Sequence, residues 1–198
     1  MSQEQLSRLE FPLGDTDKKE VRRIAKELGL TVADKKESRE ICFVPDNDYA
    51  SFIEKRVGEK NFHEGDIVNT DGEVLGRHRG YPAFTIGQRK GLNVGGLKEP
   101  HYVTAIDPEK NEITVGLKNS LYRSDFFVNK VNWYLPRQEV FETQVQIRYL
   151  HNGSTAKVKP LPGERAHVEF FEPQLSITPG QSAVFYVDDC IVGGGWIE

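Results

Sequence analysis

Hydrophobic and polar positions change rhythm once along this chain. Near the N-terminus Val21, Ile24, Ala25 and Leu28 recur at the spacing of one helix face, which predicts an amphipathic helix. Asp17 is placed to cap it, Glu20 stands three residues on as in a capping box, and Gly29 is placed to end it. A second, shorter helix is expected over about 48–56, with Tyr49, Phe52 and Ile53 as its apolar face and Gly58 as its stop. Between the two, the stretch 33–46 packs charged residues around Ile41-Cys42-Phe43-Val44 and closes on Pro45. It reads as a loop or short strand.

From Gly65 onward the period falls to that of strands. Asp71-Gly72 between Ile67-Val68-Asn69 and Glu73-Val74-Leu75 is a hairpin signal, because glycine accepts the positive φ of a tight turn. The runs 101–106 and 112–115 flank a turn at Asp107-Pro108 and form a second hairpin. Beyond Phe126 the sequence is almost wholly β in character. Short apolar alternations follow one another at close, even intervals, about six of them, which predicts a small closed barrel. The expected architecture is mainly β with an α+β N-terminal part, a small central domain and a C-terminal β-barrel. The boundaries fall at 1–48, 49–124 and 125–198.

Composition narrows the class. The chain has 198 residues, 37% hydrophobic and 28% charged, the range of globular proteins. No apolar run approaches the roughly 20 residues of a membrane helix, and the N-terminus has no secretory h-region, so the cytoplasm is the expected compartment. The net charge of −4 argues against indiscriminate binding of nucleic acid by the whole surface. Two cysteines, Cys42 and Cys190, far apart and in no CxxC, argue against a disulfide framework and a structural zinc site. No GxxxxGK[ST] loop and no GxGxxG in a βαβ setting is present.

Several positions carry candidate chemistry. Cys42 has Lys35, Lys36 and Arg39 close in sequence, cations that would stabilise a thiolate or persulfide. An inert structural cysteine is the more ordinary reading of the local sequence. Cys190 follows Asp188 and Asp189 in a strand-like run and reads as structural. The stretch 74–98 holds Arg77, His78, Arg79, Arg89, Lys90 and Lys98 with no Asp or Glu. With Gln88 and the flanking Gly87 and Gly91, it fits either an RNA-contacting loop or an ordinary solvated hairpin. Arg148 and Tyr149 end a strand in which Tyr149 continues the odd-numbered, buried face. They read locally as a surface charge and a core aromatic. Thr178-Pro179-Gly180-Gln181 is a turn, and Gly193-Gly194-Gly195 a strand kink where backbones approach closely.

Taken together these pieces resemble the tRNA-specific 2-thiouridylase family. The carriers are Phe11-Pro12-Leu13-Gly14, Lys36-Glu37-Ser38-Arg39-Glu40-Ile41-Cys42-Phe43, Thr85-Ile86-Gly87-Gln88-Arg89-Lys90-Gly91-Leu92, Thr178-Pro179-Gly180-Gln181-Ser182-Ala183-Val184-Phe185-Tyr186 and the Gly193-Gly194-Gly195-x-Ile197 ending. The resemblance spans the whole chain and lies in their order and spacing. It implies a sulfurtransferase that makes 2-thiouridine at the wobble position of tRNA. In such enzymes a nucleotide-binding domain uses ATP with Mg2+ to activate the uridine C2 oxygen, and a cysteine persulfide delivers sulfur. Cys42 matches that persulfide cysteine. Arg148, Tyr149 and Gln181 match tRNA-contacting positions, with Gln88, Arg89 and Lys90 as further candidates.

The implied partners are the anticodon arm of Lys-, Glu- and Gln-type tRNAs and a sulfur donor of a cysteine-desulfurase relay. No metal site and no membrane contact are expected in this chain. The nucleotide loop and a second, upstream cysteine that could pair with Cys42 as a disulfide have no counterpart here, so the chain is expected to be a C-terminal portion, inactive alone. Glu40 stands where many relatives have glycine. The competing reading is a non-catalytic RNA-binding, translation-factor-like barrel in which Cys42 is structural.

Overall fold

The computed structural model describes residues 1–35, 44, 48–58, 62–96, 98–135, 139–149 and 151–198. The motif 36–43, with Cys42 and Glu40, lies outside the described residues. The chain divides into two compact units, 1–49 and 50–198.

In the first unit, α1 (Gln3–Leu6) carries the reciprocal capping box, Ser2 with Gln5. The box expected at the next helix is incomplete. Asp17 does cap α2 (Lys18–Glu27), accepting the amides of Lys19 and Glu20 at 2.8 Å each. Glu20, however, turns its carboxylate to Arg23, because a guanidinium one turn along outcompetes a single backbone N–H. The helix ends at Gly29, in the left-handed region at φ +67°. None of its residues is buried. Ile24 and Leu28, on its apolar stripe, are exposed.

α3 (Tyr49–Val57), all but its first residue in the second unit, is stopped by Gly58 at φ +75°. Four strands follow: β1 (Gly65–Val68), β2 (Val74–His78), β3 (Tyr102–Asp107) and β4 (Glu112–Gly116). They form one sheet in the order β2-β1-β4-β3, the two predicted hairpins joined by a parallel β1–β4 pair. The first turn closes on Asn69, whose Oδ1 accepts the amides of Asp71 and Glu73. Ile67, Leu92, Val103, Ile113 and Val115 make the core.

The join between the hairpins is tight. An added Cβ on Gly65 would lie 1.9 Å from the Asn111 carbonyl oxygen. That carbonyl is 3.0 Å from His78 Nε2, and the other ring nitrogen of His78 accepts from the Gly80 amide at 3.1 Å. His78 is therefore neutral, with its proton on Nε2, and it is only 3% exposed. Burial holds its pKa below the usual histidine value. It is withdrawn from the basic surface that the sequence around it suggests.

The remaining six strands close into a barrel in the order β10-β5-β8-β7-β6-β9. They are β5 (Tyr122–Trp133), β6 (Phe141–Gln146), β7 (Ser154–Leu161), β8 (Arg165–Leu175), β9 (Ser182–Val187) and β10 (Cys190–Ile197), and every pair is antiparallel. Inward positions alternate with outward ones. Val128, Val145, Val158, Val168 and Phe185 fill the centre without solvent contact. Closure leaves no unpaired edge in the barrel.

Candidate nucleic-acid interface

The six strands place their loops at two ends, and one end collects most of the positions singled out above. β6 stops at Gln146. Ile147 keeps its buried place, but the chain then turns, with the His151 amide donating to the Arg148 carbonyl at 3.2 Å. The alternation breaks there, so Tyr149 is not a core residue as its parity predicts. It is 91% exposed. An aromatic ring so bare has both faces open, and covering one with a nucleobase removes apolar area from water, which favours stacking.

Arg148 is held rather than free. Its Nη1 donates to the Leu175 carbonyl at 2.6 Å, which anchors the guanidinium over the connection from β8 to β9. Gln181 sits at the far end of that connection. It is an exposed residue in a turn closed by its amide to the Thr178 carbonyl, and its own carbonyl accepts from the Ile197 amide at 2.8 Å. Arg148, Tyr149 and Gln181 thus share one end of the barrel, brought together by a connection of a few residues.

The loop 85–91 reaches the same connection from the four-stranded sheet. Gly87, at φ +87°, lies so close to Ser176 that an added Cβ would be 2.7 Å from its hydroxyl. This contact, not a ligand, is the reason for that glycine. Gln88 is used internally: its Oε1 accepts the Thr85 amide and its Nε2 donates to the Lys90 carbonyl. It shapes the loop, while Arg89 and Lys90 are exposed and make no ion pair among the described residues. Arg77 is only loosely compensated, by Glu64 at 3.8 Å and Asp66 at 4.0 Å.

Beside this connection runs a cleft of about 550 Å3 between the sheet and the barrel, lined among others by Ile86, Thr104, Arg123, Ile177, Pro179 and Glu198. Arg123 is exposed and unpaired among the described residues. Sequence reading missed it, since a lone arginine near a strand start carries no signal. Glu198 is fixed by Arg165, which hydrogen-bonds both its oxygens and holds its carboxyl below the usual range. Arg165 also lies over the Phe127 ring at 5.3 Å.

A helix N-terminus can hold a phosphate through its free amides, but at α2 the amides of Lys19 and Glu20 are taken by the Asp17 carboxylate. No group of three or more His, Cys, Asp or Glu side chains suited to a metal is found among the described residues.

Three family models match in succession. That described as the tRNA methyl transferase HUP domain covers residues 1–46, the tRNA methyl transferase PRC-barrel domain 50–117, and the aminomethyltransferase beta-barrel domain 123–197. The chain is 46% identical over 219 residues to the "tRNA-specific 2-thiouridylase MnmA 2" of Syntrophus aciditrophicus (strain SB), covering all of this chain and 64% of that protein. It is 47% identical to the "tRNA-specific 2-thiouridylase MnmA" of Geotalea uraniireducens (strain Rf4), and 45% to that of Carboxydothermus hydrogenoformans. Those alignments again cover the whole chain, and 52% and 54% of the two relatives. The chain therefore spans between about half and two-thirds of the length of these curated relatives.

Proposed function

Because the chain belongs to the tRNA-specific 2-thiouridylase family, we propose that it is the sulfur-carrying and RNA-gripping portion of a tRNA 2-sulfurtransferase. The observation that carries this reading is the likeness of the whole chain, at 45–47% identity, to relatives that bear that name. Cys42 carries the transferable sulfur as a persulfide, loaded by a donor of a cysteine-desulfurase relay; its outer sulfur bonds to C2 of the adenylated wobble uridine as AMP leaves with the C2 oxygen, and a second cysteine thiol of the full-length protein breaks the S–S bond, ending as a disulfide with Cys42. Lys35, Lys36 and Arg39 favour its anionic form. Activation of the uridine by ATP is assigned to a nucleotide-binding domain of the full-length protein.

The barrel end supports the RNA side of the reading. Tyr149 stands bare for stacking, Arg148 is pre-positioned by Leu175 for phosphate or sugar, and Gln181 presents both a donor and an acceptor. Arg89 and Lys90 extend the cationic surface from the neighbouring loop. Gln88 acts by holding that loop in shape. The tRNAs served are those of the Lys, Glu and Gln type, gripped by the anticodon arm, in the cytoplasm.

Two measurements test this. In the full-length protein, Cys42→Ser should abolish 2-thiouridine formation while leaving tRNA affinity intact; thiolation at the parental rate would remove Cys42 from the mechanism. In the present chain, Arg148→Ala should weaken tRNA binding by about 1–3 kcal/mol, the worth of a charge-assisted hydrogen bond. Unchanged affinity would mean that this end of the barrel does not touch RNA.

A further inference from the structure

The outer wall of the barrel bears a trough that the reading above does not use. It lies over β5, β10 and β9 and has a volume of about 350 Å3. Its floor is the backbone of Gly193, Gly194 and Gly195. These glycines are imposed by the barrel: an added Cβ would come within 2.6 Å of the Trp133 ring at Gly193, 2.7 Å of the Ala183 carbonyl oxygen at Gly194 and 2.4 Å of the Asn129 carbonyl oxygen at Gly195. Three adjacent positions without side chains leave the wall bare between Trp196 and Tyr134. Trp196 is 52% exposed. Among the described residues Lys130 is the one charge that lines the trough, and it has no partner there.

Resting on the RNA-binding reading, we propose that this trough is a single-nucleotide subsite for RNA, in which an unpaired base stacks on Trp196 and the adjoining phosphate meets Lys130. Two observations carry it. The first is charge: a lone cation beside a large exposed aromatic, with no carboxylate in the lining, complements an anion that bears a flat ring. The second is continuity with the Arg148–Tyr149–Gln181 end. β6 and β9 pair Gln144 with Tyr186 and Gln146 with Val184, and β9 begins two residues before Val184, at Ser182. Ser182 is itself paired with Trp196. Gln181, the residue before Ser182, thus stands at the head of the strand that pairs with Trp196, so neighbouring nucleotides of one strand can meet both. Gln181 lies beside Trp196 through its bond from Ile197.

Lys130 occupies a β-bulge. Across it, Gly194 and Trp196 face Asn132 and Asn129, two steps of one strand against three of the other. Its φ is +48°, a conformation that suits glycine better than lysine. Lys130→Gly therefore removes the cation while easing the backbone, and the fold is retained.

The test uses the intrinsic fluorescence of the 198-residue chain with oligouridylate as the probe, and anisotropy of the same RNA carrying a dye. Trp133 is packed against Phe141 and Phe185 and contributes a constant background. Oligouridylate should quench Trp196 saturably at low salt, and Trp196→Phe should remove the quenching. Trp196→Ala should weaken binding about tenfold. Lys130→Gly should weaken it about fivefold and flatten the dependence of log K on log salt by a little under one, with an undiminished melting temperature. Anisotropy showing RNA bound without quenching of Trp196, or with Lys130→Gly at parental affinity, overturns the subsite while the RNA reading stands. Absence of RNA binding by anisotropy overturns both. Quenching by oligoglutamate but not by oligouridylate would mark the trough as a protein-docking site and equally overturn the proposal.

Discussion

His78 should make the central sheet acid-sensitive. Its Nδ1 accepts from the Gly80 amide and its Nε2 donates to the Asn111 carbonyl, so a second proton has nowhere to go without breaking the Gly80 bond. Burial is the first cause of its lowered pKa. The Asn111 carbonyl and Asp66 oppose the shift, while Arg77 and His63 add to it. In the unfolded chain the same ring titrates near pH 6.5. The folded state thus binds its proton less tightly than the unfolded one. The stabilisation is fully present above about pH 6.5, and it is lost as the pH falls from there toward the depressed folded value. Within that window the slope can reach about 1.4 kcal/mol per pH unit.

The substitution His78→Phe keeps the ring and its edge contact with Phe84, centroids 5.7 Å apart, but deletes both hydrogen bonds. It leaves a buried amide and a carbonyl unpaired, at about 1–3 kcal/mol each. We expect a total loss of about 2–4 kcal/mol at pH 7.5. The assay is urea unfolding of the chain at pH 7.5 and 5.5, read with the ring Cε1–H shift of His78 in the parent. The parent should lose stability on acidification and the variant should lose less. An ordinary or raised pKa for His78, or equal pH dependence in both proteins, would refute the reasoning.

Two further perturbations follow from close contacts. Gly65→Ala should separate the two hairpins of the central sheet, because its methyl would lie 1.9 Å from the Asn111 oxygen; a loss above about 2 kcal/mol is expected, in the range of overpacked sites, and an unchanged urea midpoint would contradict the geometry. Phe185→Ala, at the solvent-free centre of the barrel, should cost about 3–5 kcal/mol, measured as a lowered denaturation midpoint with far-UV dichroism unchanged under native conditions.

How far the sequence foretold this depends on what each residue answers to. The helices, both hairpins and the closed barrel were legible because each is a local pattern: Asp17 before a helical stripe, Asp71-Gly72 between alternations, apolar residues at period two. The failures lie where a distant partner decides. Glu20 leaves its capping role for Arg23. Tyr149 keeps the parity of a core residue, yet the strand carrying it has already ended at Gln146. Its exposure follows from where the barrel closes, which no local pattern records. His78 sits in a run of basic residues but is buried by the Asn111 loop from 33 positions away. The convergence of Arg148, Gln181 and the loop 85–91 on one connection is likewise a property of topology, visible only once β6, β8 and β9 are paired.

The charge of the chain bears on how such an interface can work. With a net charge of −4, long-range attraction of a polyanion is weak or adverse, and proteins that grip RNA by phosphate alone carry the opposite sign. What the barrel offers instead is a few cations held or aimed locally, Arg148 on the Leu175 carbonyl at one end and Lys130 on its bulge in the outer wall, with two aromatic rings, Tyr149 and Trp196, left open to solvent. Stacking is short-ranged and only weakly screened by salt, so it can supply affinity where the field of the whole molecule does not. It also demands bases that are free to leave their own stack. An acidic protein that binds in this way discriminates against duplex and favours looped, unpaired nucleotides.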